Sequence, residues 1–136
     1  MPLVQALFVR PGSNFTLVAM GRMVHEALAA AEQLKEVGID TEVIDPRSLQ
    51  PFDTATVVES VKKTHRIMVV HEAVRFGGIG GEIAAQIQEQ AFDYLDAPVA
   101  RVGAPFSPVP FSPALEAVYV PNAARIVDEA KQLLGV

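Results

Sequence analysis

A histidine and a glutamate, His71-Glu72, close the most apolar run of the chain, Ile67-Met68-Val69-Val70. An imidazole at the end of a buried strand can titrate or donate near physiological pH. The glycine cluster Gly77-Gly78-Ile79-Gly80-Gly81 follows, and glycines ahead of a helix can turn several N–H groups toward an anion. The same glycines equally suit a mobile or closely packed backbone loop. There is no P-loop lysine, and Ile83 stands where a Gly-x-Gly-x-x-Gly motif counted from Gly78 needs its third glycine. A second segment, Met20-Gly21-Arg22, leaves an earlier apolar run, where a glycine either lets the backbone approach a ligand or permits a tight strand-to-helix turn. In a third, Asp45 to Asp53, Pro46 and Pro51 stiffen the chain around Arg47. The Arg47 guanidinium could fork onto a carboxylate or phosphate, or form an internal ion pair with Asp45 or Glu72.

No nucleophile–base pair is legible. Ser13, Ser48, Ser60, Ser107 and Ser112 lack the glycine-flanked elbow of a hydrolase, and the only carboxylates paired at strand ends are Asp45 and Glu72, read as lying in neighbouring strands. His25 and His65 fall in or just after helical segments and read as surface residues. The absence of cysteine and the scatter of three histidines exclude disulfides, thiolate metal sites and zinc-ligand spacing.

These segments are carried on alternating strands and helices. Short β-rich runs bounded by Gly, Pro or Asp predict strands at Ala6 to Arg10, Phe15 to Met20, Thr41 to Asp45, Arg66 to His71 and Val99 to Gly103. Apolar positions at helical spacing predict helices over Met23 to Val37, Asp53 to Lys63, Ile79 to Tyr94 and the stretch after Asn122. Asp53 and Asn122 serve as N-caps and Gly38 as a C-terminal stop. Crossovers of this length demand parallel, right-handed β-α-β units, hence an α/β fold, a three-layer α/β/α sandwich. Only Pro11 to Asn14 separate the first two strands, too few for a crossover helix, so the first strand is antiparallel or at an edge. Pro105 to Pro113 carries four prolines and reads as an extended surface loop.

At 136 residues, half of them hydrophobic, the chain is the size of one domain, residues 1–136. A formal charge of −5 with dispersed basic residues argues against a nucleic-acid groove. No apolar run approaches the roughly 20 residues of a membrane span, and the start MPLVQALFVRPGS is unlike a cleavable signal, so a soluble, cytoplasmic protein is expected.

The order TLVAMG (Thr16 to Gly21), HEALAAAEQL, TEVIDPRSLQPFD, MVVHEA, a glycine cluster, GEIAAQIQE and then APVARVGAPFSPVPFSPALEAVYVPNAARIVDEAKQLL resembles one family over almost the whole chain. It is the C-terminal domain of the β subunit of thiamine diphosphate-dependent 2-oxo acid dehydrogenase E1 components, of pyruvate, branched-chain or acetoin type, within the transketolase-like superfamily. The linked D-P-R-S-L-Q-P-F-D, H-E-A and P-F-S-P-V-P-F motifs carry the resemblance. It implies a five-stranded mixed sheet in the order 1-3-2-4-5 with strand 1 antiparallel. In that order Gly21-Arg22 and His71-Glu72 face each other across the switch-point crevice, where a bound anion is expected.

The resemblance further implies that this domain holds no cofactor and no catalytic residue, thiamine diphosphate and magnesium being bound elsewhere in the parent enzyme. Its partners would be the E1 α subunit, a second E1 β subunit and the basic peripheral subunit-binding domain of the E2 acyltransferase. Glu116, Asp128, Glu129 and the terminal Val136 are the candidates for that last contact. An equivalent domain of a transketolase or deoxyxylulose-phosphate synthase is the rival within enzymes, and a free-standing binding module the rival outside them.

Overall fold

A computed structural model describes residues 5–49, 52–105 and 120–136. In chain order the elements are Leu7–Arg10 (β1), Phe15–Ala19 (β2), Met23–Lys35 (α1), Thr41–Asp45 (β3), Thr54–Thr64 (α2), Ile67–Val74 (β4), Ile79–Ala91 (α3), Ala100–Ala104 (β5) and Ala123–Leu134 (α4). The sheet order is β1-β3-β2-β4-β5, with β1 antiparallel to β3 and the other pairings parallel, as the family resemblance implies.

Alternation along the strands sorts the core into two sides. Phe15, Leu17, Val43, Met68, Val70 and Val102 face α1 and α4, where they meet Ala27, Ala31, Leu34, Ile126 and Ala130. Val18, Ile44, Ile67 and Val69 face α2 and α3, where they meet Val57, Val61, Ile83 and Ile87. The central strands β2 and β4 are therefore apolar at consecutive positions, as strands covered on both faces must be.

The link from β1 to β2 must cross the start of β3, which lies between them in the sheet. Residues 11–14 span two strand spacings, about 10 Å, and do so in close contact with β3. Asp40 fastens this strap: its carboxylate accepts from the Ser13 N–H at 3.1 Å and hydroxyl at 3.0 Å, and Arg10 Nη1 lies 3.3 Å away. The Ser13 hydroxyl bond, joined by the Arg10 charge and opposed by some desolvation, holds the Asp40 carboxyl below the ordinary carboxylate value of 3.8.

Between the sheet and α2 runs a buried polar chain that sequence periodicity does not reveal. Thr16 Oγ1 lies 2.6 Å from Thr64 Oγ1 and 2.7 Å from Ser60 Oγ, and Ser60 donates to the Glu42 carboxylate at 2.5 Å. Glu42 is buried, and Lys63 Nζ reaches its other oxygen at 2.6 Å. With Glu42 as the terminal acceptor, each hydroxyl can donate one step toward it, so every member is satisfied.

Three boundaries differ from the sequence reading by more than one residue. β4 runs on to Val74, because a register shift between Val70 and Val74 lets Val74 pair with Ala104 while Arg75 N–H donates to the Ala104 carbonyl at 2.9 Å. α1 stops at Lys35, where the N–H groups of Val37 and Gly38 bond back to Leu34 and Lys35. α3 stops at Ala91 and is followed by a 3-10 turn, Phe92–Tyr94, whose Tyr94 carbonyl accepts from His65 Nδ1 at 2.7 Å. Of the proline-rich loop only Pro105 lies among the described residues.

Candidate functional site

Strand alternation divides the four residues of the expected crevice. Glu72 points to the α1 side, where Arg22, the residue preceding α1, places Nε 3.1 Å from its Oε1. Gly21 supplies the turn between them with a φ of +58°, a left-handed conformation that disfavours other residues. The Arg22–Glu72 pair is exposed on both sides, which limits it to about 0–1 kcal/mol. The pair ties the start of α1 to β4 at the switch point.

His71 points the other way and is buried under the start of α3. Its Nδ1 faces the Ala73 carbonyl at 3.0 Å, which can only accept, so Nδ1 carries the proton in the neutral ring. A methyl group placed on Gly80 would come within 2.8 Å of His71 Nε2, one on Gly78 within 2.9 Å of Cε1, and one on Gly103 within 2.8 Å of Cε1. Gly80, with Gly78 and Gly103, thus packs closely against the imidazole, Gly78 lying closest to the Val74 carbonyl, while Gly77 takes a left-handed turn with a φ of +72°. Burial lowers the His71 pKa from 6.5, and the like charge of Arg101 adds to this against the Ala73 carbonyl bond.

Asp45 and Glu72 do not lie in neighbouring strands: β2 stands between β3 and β4, which corrects the sequence pairing of those carboxylates. Asp45 instead accepts from the Arg47 N–H at 2.9 Å, a local turn that carries Arg47 at a φ of +64°. Glu72 is taken by Arg22, not by Arg47. Met20, Gly21, Pro46 and Ser48 line a cavity of about 170 Å³ at this end of β2 and β3. On α4, Asp128 is exposed, Glu129 half-buried and Val136 exposed, and Glu116 lies outside the described residues. Among the described residues no three His, Asp or Glu side chains group so as to hold a metal ion, and no helix is long and apolar enough to cross a membrane.

Sequence reasoning passed over Arg75 and Arg101, which converge with Arg125 on one cavity of about 560 Å³ beside β5 and the glycine turn. Their positions, one just beyond β4, one in β5 and one in α4, share no sequence spacing. Only the pairing of β4 with β5 could have brought them together in advance.

Residues 4–126 match the family described as Transketolase, C-terminal domain. The chain is 46% identical over 135 residues to the acetoin:2,6-dichlorophenolindophenol oxidoreductase subunit beta of Bacillus subtilis, covering 99% of this chain and 40% of that protein. It is 45% identical over 131 residues to the chloroplastic pyruvate dehydrogenase E1 component subunit beta-3 of Arabidopsis thaliana, covering 96% of this chain and 32% of that protein. A solved split-gene transketolase, described as an inactive beta4 tetramer, superposes with a TM-score of 0.85 at 30% identity, over 99% of this chain and 43% of that one. The chain therefore spans about two fifths or less of the curated relatives' length.

Proposed function

The chain belongs to the transketolase C-terminal domain family, and from that membership we propose that it is the C-terminal domain of a 2-oxo acid dehydrogenase E1 β subunit. The carrying observation is end-to-end identity of 45–46% with β subunits of acetoin and pyruvate enzymes, against 30% with the split-gene transketolase. On this reading the domain contributes assembly to the oxidative decarboxylation of a 2-oxo acid. On the same reading the parent enzyme would hold its thiamine diphosphate and magnesium outside this domain, and no chemical step is routed through them. The chain's own residues act by holding surfaces in place for an E1 α subunit and a second β subunit in a cytoplasmic complex. Exposed Phe92, at 66%, supports such a missing neighbour, because large aromatic side chains are favoured at subunit contacts.

The test is to isolate the native polypeptide from its source cells with an antibody against these 136 residues. We expect a chain roughly two and a half times as long, as 40% coverage of the relative requires, eluting with thiamine diphosphate-dependent 2-oxo acid decarboxylation. A native chain of this length alone, with no such activity in the eluate, overturns the reading in favour of a free-standing module.

E2 docking is the finer part of the proposal. Asp128 and Glu129 lie on successive positions of α4 near the exposed Val136, and neither is in an ion pair among the described residues. A basic subunit-binding domain would be steered to such a face. Reversing both charges, Asp128→Lys with Glu129→Lys, should weaken binding of that domain by about tenfold or more in titration calorimetry. Unchanged affinity would move the docking surface off this helix.

A further inference from the structure

We propose that the cavity framed by Arg75, Arg101 and Arg125 binds the phosphate group of a small organic phosphate. Three arginines line it and, among the described residues, no carboxylate does, in a chain whose net charge is −5. None of the three is in an ion pair among the described residues. Arg10, Arg22, Lys62 and Lys63 each meet a carboxylate, whereas Lys35, Arg66 and Lys131, like these three arginines, form no ion pair among the described residues.

The cluster is also held in place. Arg75 Nε donates to the Arg101 carbonyl at 3.2 Å, and Arg101 Nη1 reaches back to the Arg75 carbonyl at 3.5 Å. These crossed bonds fix two like charges side by side against neutral partners, leaving their charge uncompensated and other N–H donors open. The backbone of Arg125 is tied by the Asn122 cap at 2.9 Å, and the adjacent Ile126 is fully buried, so the third guanidinium springs from a fixed point. Like charges fixed at one cavity repel, and a dianion with several acceptor oxygens relieves that repulsion through bidentate bonds. A tetrahedral phosphate offers more acceptors to three arginines around one cavity than a single carboxylate does.

The volume, about 560 Å³, is that of a small-molecule site and far exceeds a bare phosphate ion. Phe76 lines the same cavity and gives an organic moiety an apolar wall. Gly77, where an added Cβ would meet nothing within 4 Å, leaves the backbone side of the opening free of a side chain. The inference does not rest on the proposed enzyme: it holds for a subunit domain and for a free-standing module alike.

The experiment titrates the full 136-residue chain with phenyl phosphate, inorganic phosphate and benzoate at constant ionic strength, following the arginine Nε–H signals by NMR. Phenyl phosphate is expected to saturate with a Kd of about 1 mM or tighter at Arg75, Arg101 and Arg125, inorganic phosphate to act more weakly at the same signals, and benzoate weakest. Arg125→Gln, whose side chain makes no hydrogen bond within the described fold, should weaken phenyl phosphate about tenfold without shifting the unfolding midpoint. Arg125→Lys, which keeps the charge and loses the fork, should fall between. Non-saturating shifts, affinity untouched by Arg125→Gln, or benzoate binding as well as phenyl phosphate would each overturn the proposal. Tighter binding of a glutamate-rich peptide than of phenyl phosphate would also overturn it and make the cluster a protein contact.

Discussion

Gly12→Ala is expected to lower the unfolding free energy by roughly 3 kcal/mol, at the upper end of overpacking costs. The position has no left-handed φ and is exposed enough to look tolerant, yet an added Cβ would sit 2.3 Å from both the Glu42 nitrogen and the Thr41 carbonyl carbon. Both atoms are backbone of β3, so no rotamer change can make room. The strap would have to lift off the sheet, taking with it the Ser13–Asp40 bonds and the reciprocal bonds between Asn14 and Asp40 at 2.9 Å. A loss of that size is a large fraction of the 5–15 kcal/mol that holds a domain of this kind together. Gly38→Ala is the matched control: its φ of +84° disfavours alanine, but the space around it is open, so the cost should stay near 1–2 kcal/mol. Urea midpoints of the two variants decide the matter. If Gly12→Ala unfolds within about 0.5 kcal/mol of the parent, the strap does not press on β3 as described.

That strap shows what the sequence discloses and what it withholds. Four residues between two strand-like runs suffice to make β1 antiparallel or an edge, and both hold. Nothing in those four residues says that β3 inserts between β1 and β2, because insertion depends on pairing across distant segments; the strand order came through family resemblance. The same limit governs the site. Reading His71 and Glu72 as a unit follows from their adjacency, but a strand sends adjacent side chains to opposite faces, so the two serve different layers. Glu72 clasps Arg22, while His71 fills the glycine socket. Glu42 is hidden for a related reason: in TEVID it alternates as a solvent-facing strand residue would, and the Ser60 hydroxyl, Lys63 and the Gly12 N–H make its burial tolerable.

In the glycine socket, Gly80→Ala and His71→Ala should each destabilise the domain, yet together cost less than their sum by about 2 kcal/mol. Two effects oppose each other at Gly80. At the second position of α3 alanine gains at most about 0.5–1 kcal/mol of helix propensity over glycine. Its methyl group, however, would stand 2.8 Å from His71 Nε2 and 3.1 Å from Cδ2, and overpacking of that kind costs about 1–3 kcal/mol. The ring cannot swing aside, being buried, bonded to Ala73 and bounded by Gly78 and Gly103, so the clash wins. With the imidazole removed, the next contact is Val69 Cγ1 at an ordinary 3.7 Å, and propensity alone remains. Gly103→Ala supplies the contrast, since its methyl would also meet the Ala73 oxygen at 2.9 Å and Arg75 Cα at 3.0 Å, backbone atoms that His71→Ala leaves in place. Acid gives an independent readout of the same ring. The folded pKa lies below 6.5, so the unfolded chain binds the proton more readily; His71's contribution is complete above about pH 6.5 and is lost as pH falls below it. Denaturation at pH 7.5 and 5.0 should therefore show a loss in the parent that His71→Ala flattens. Additive cycle energies, or an acid-side loss that persists in His71→Ala, would mean that the glycines are there for the turn and not for the imidazole.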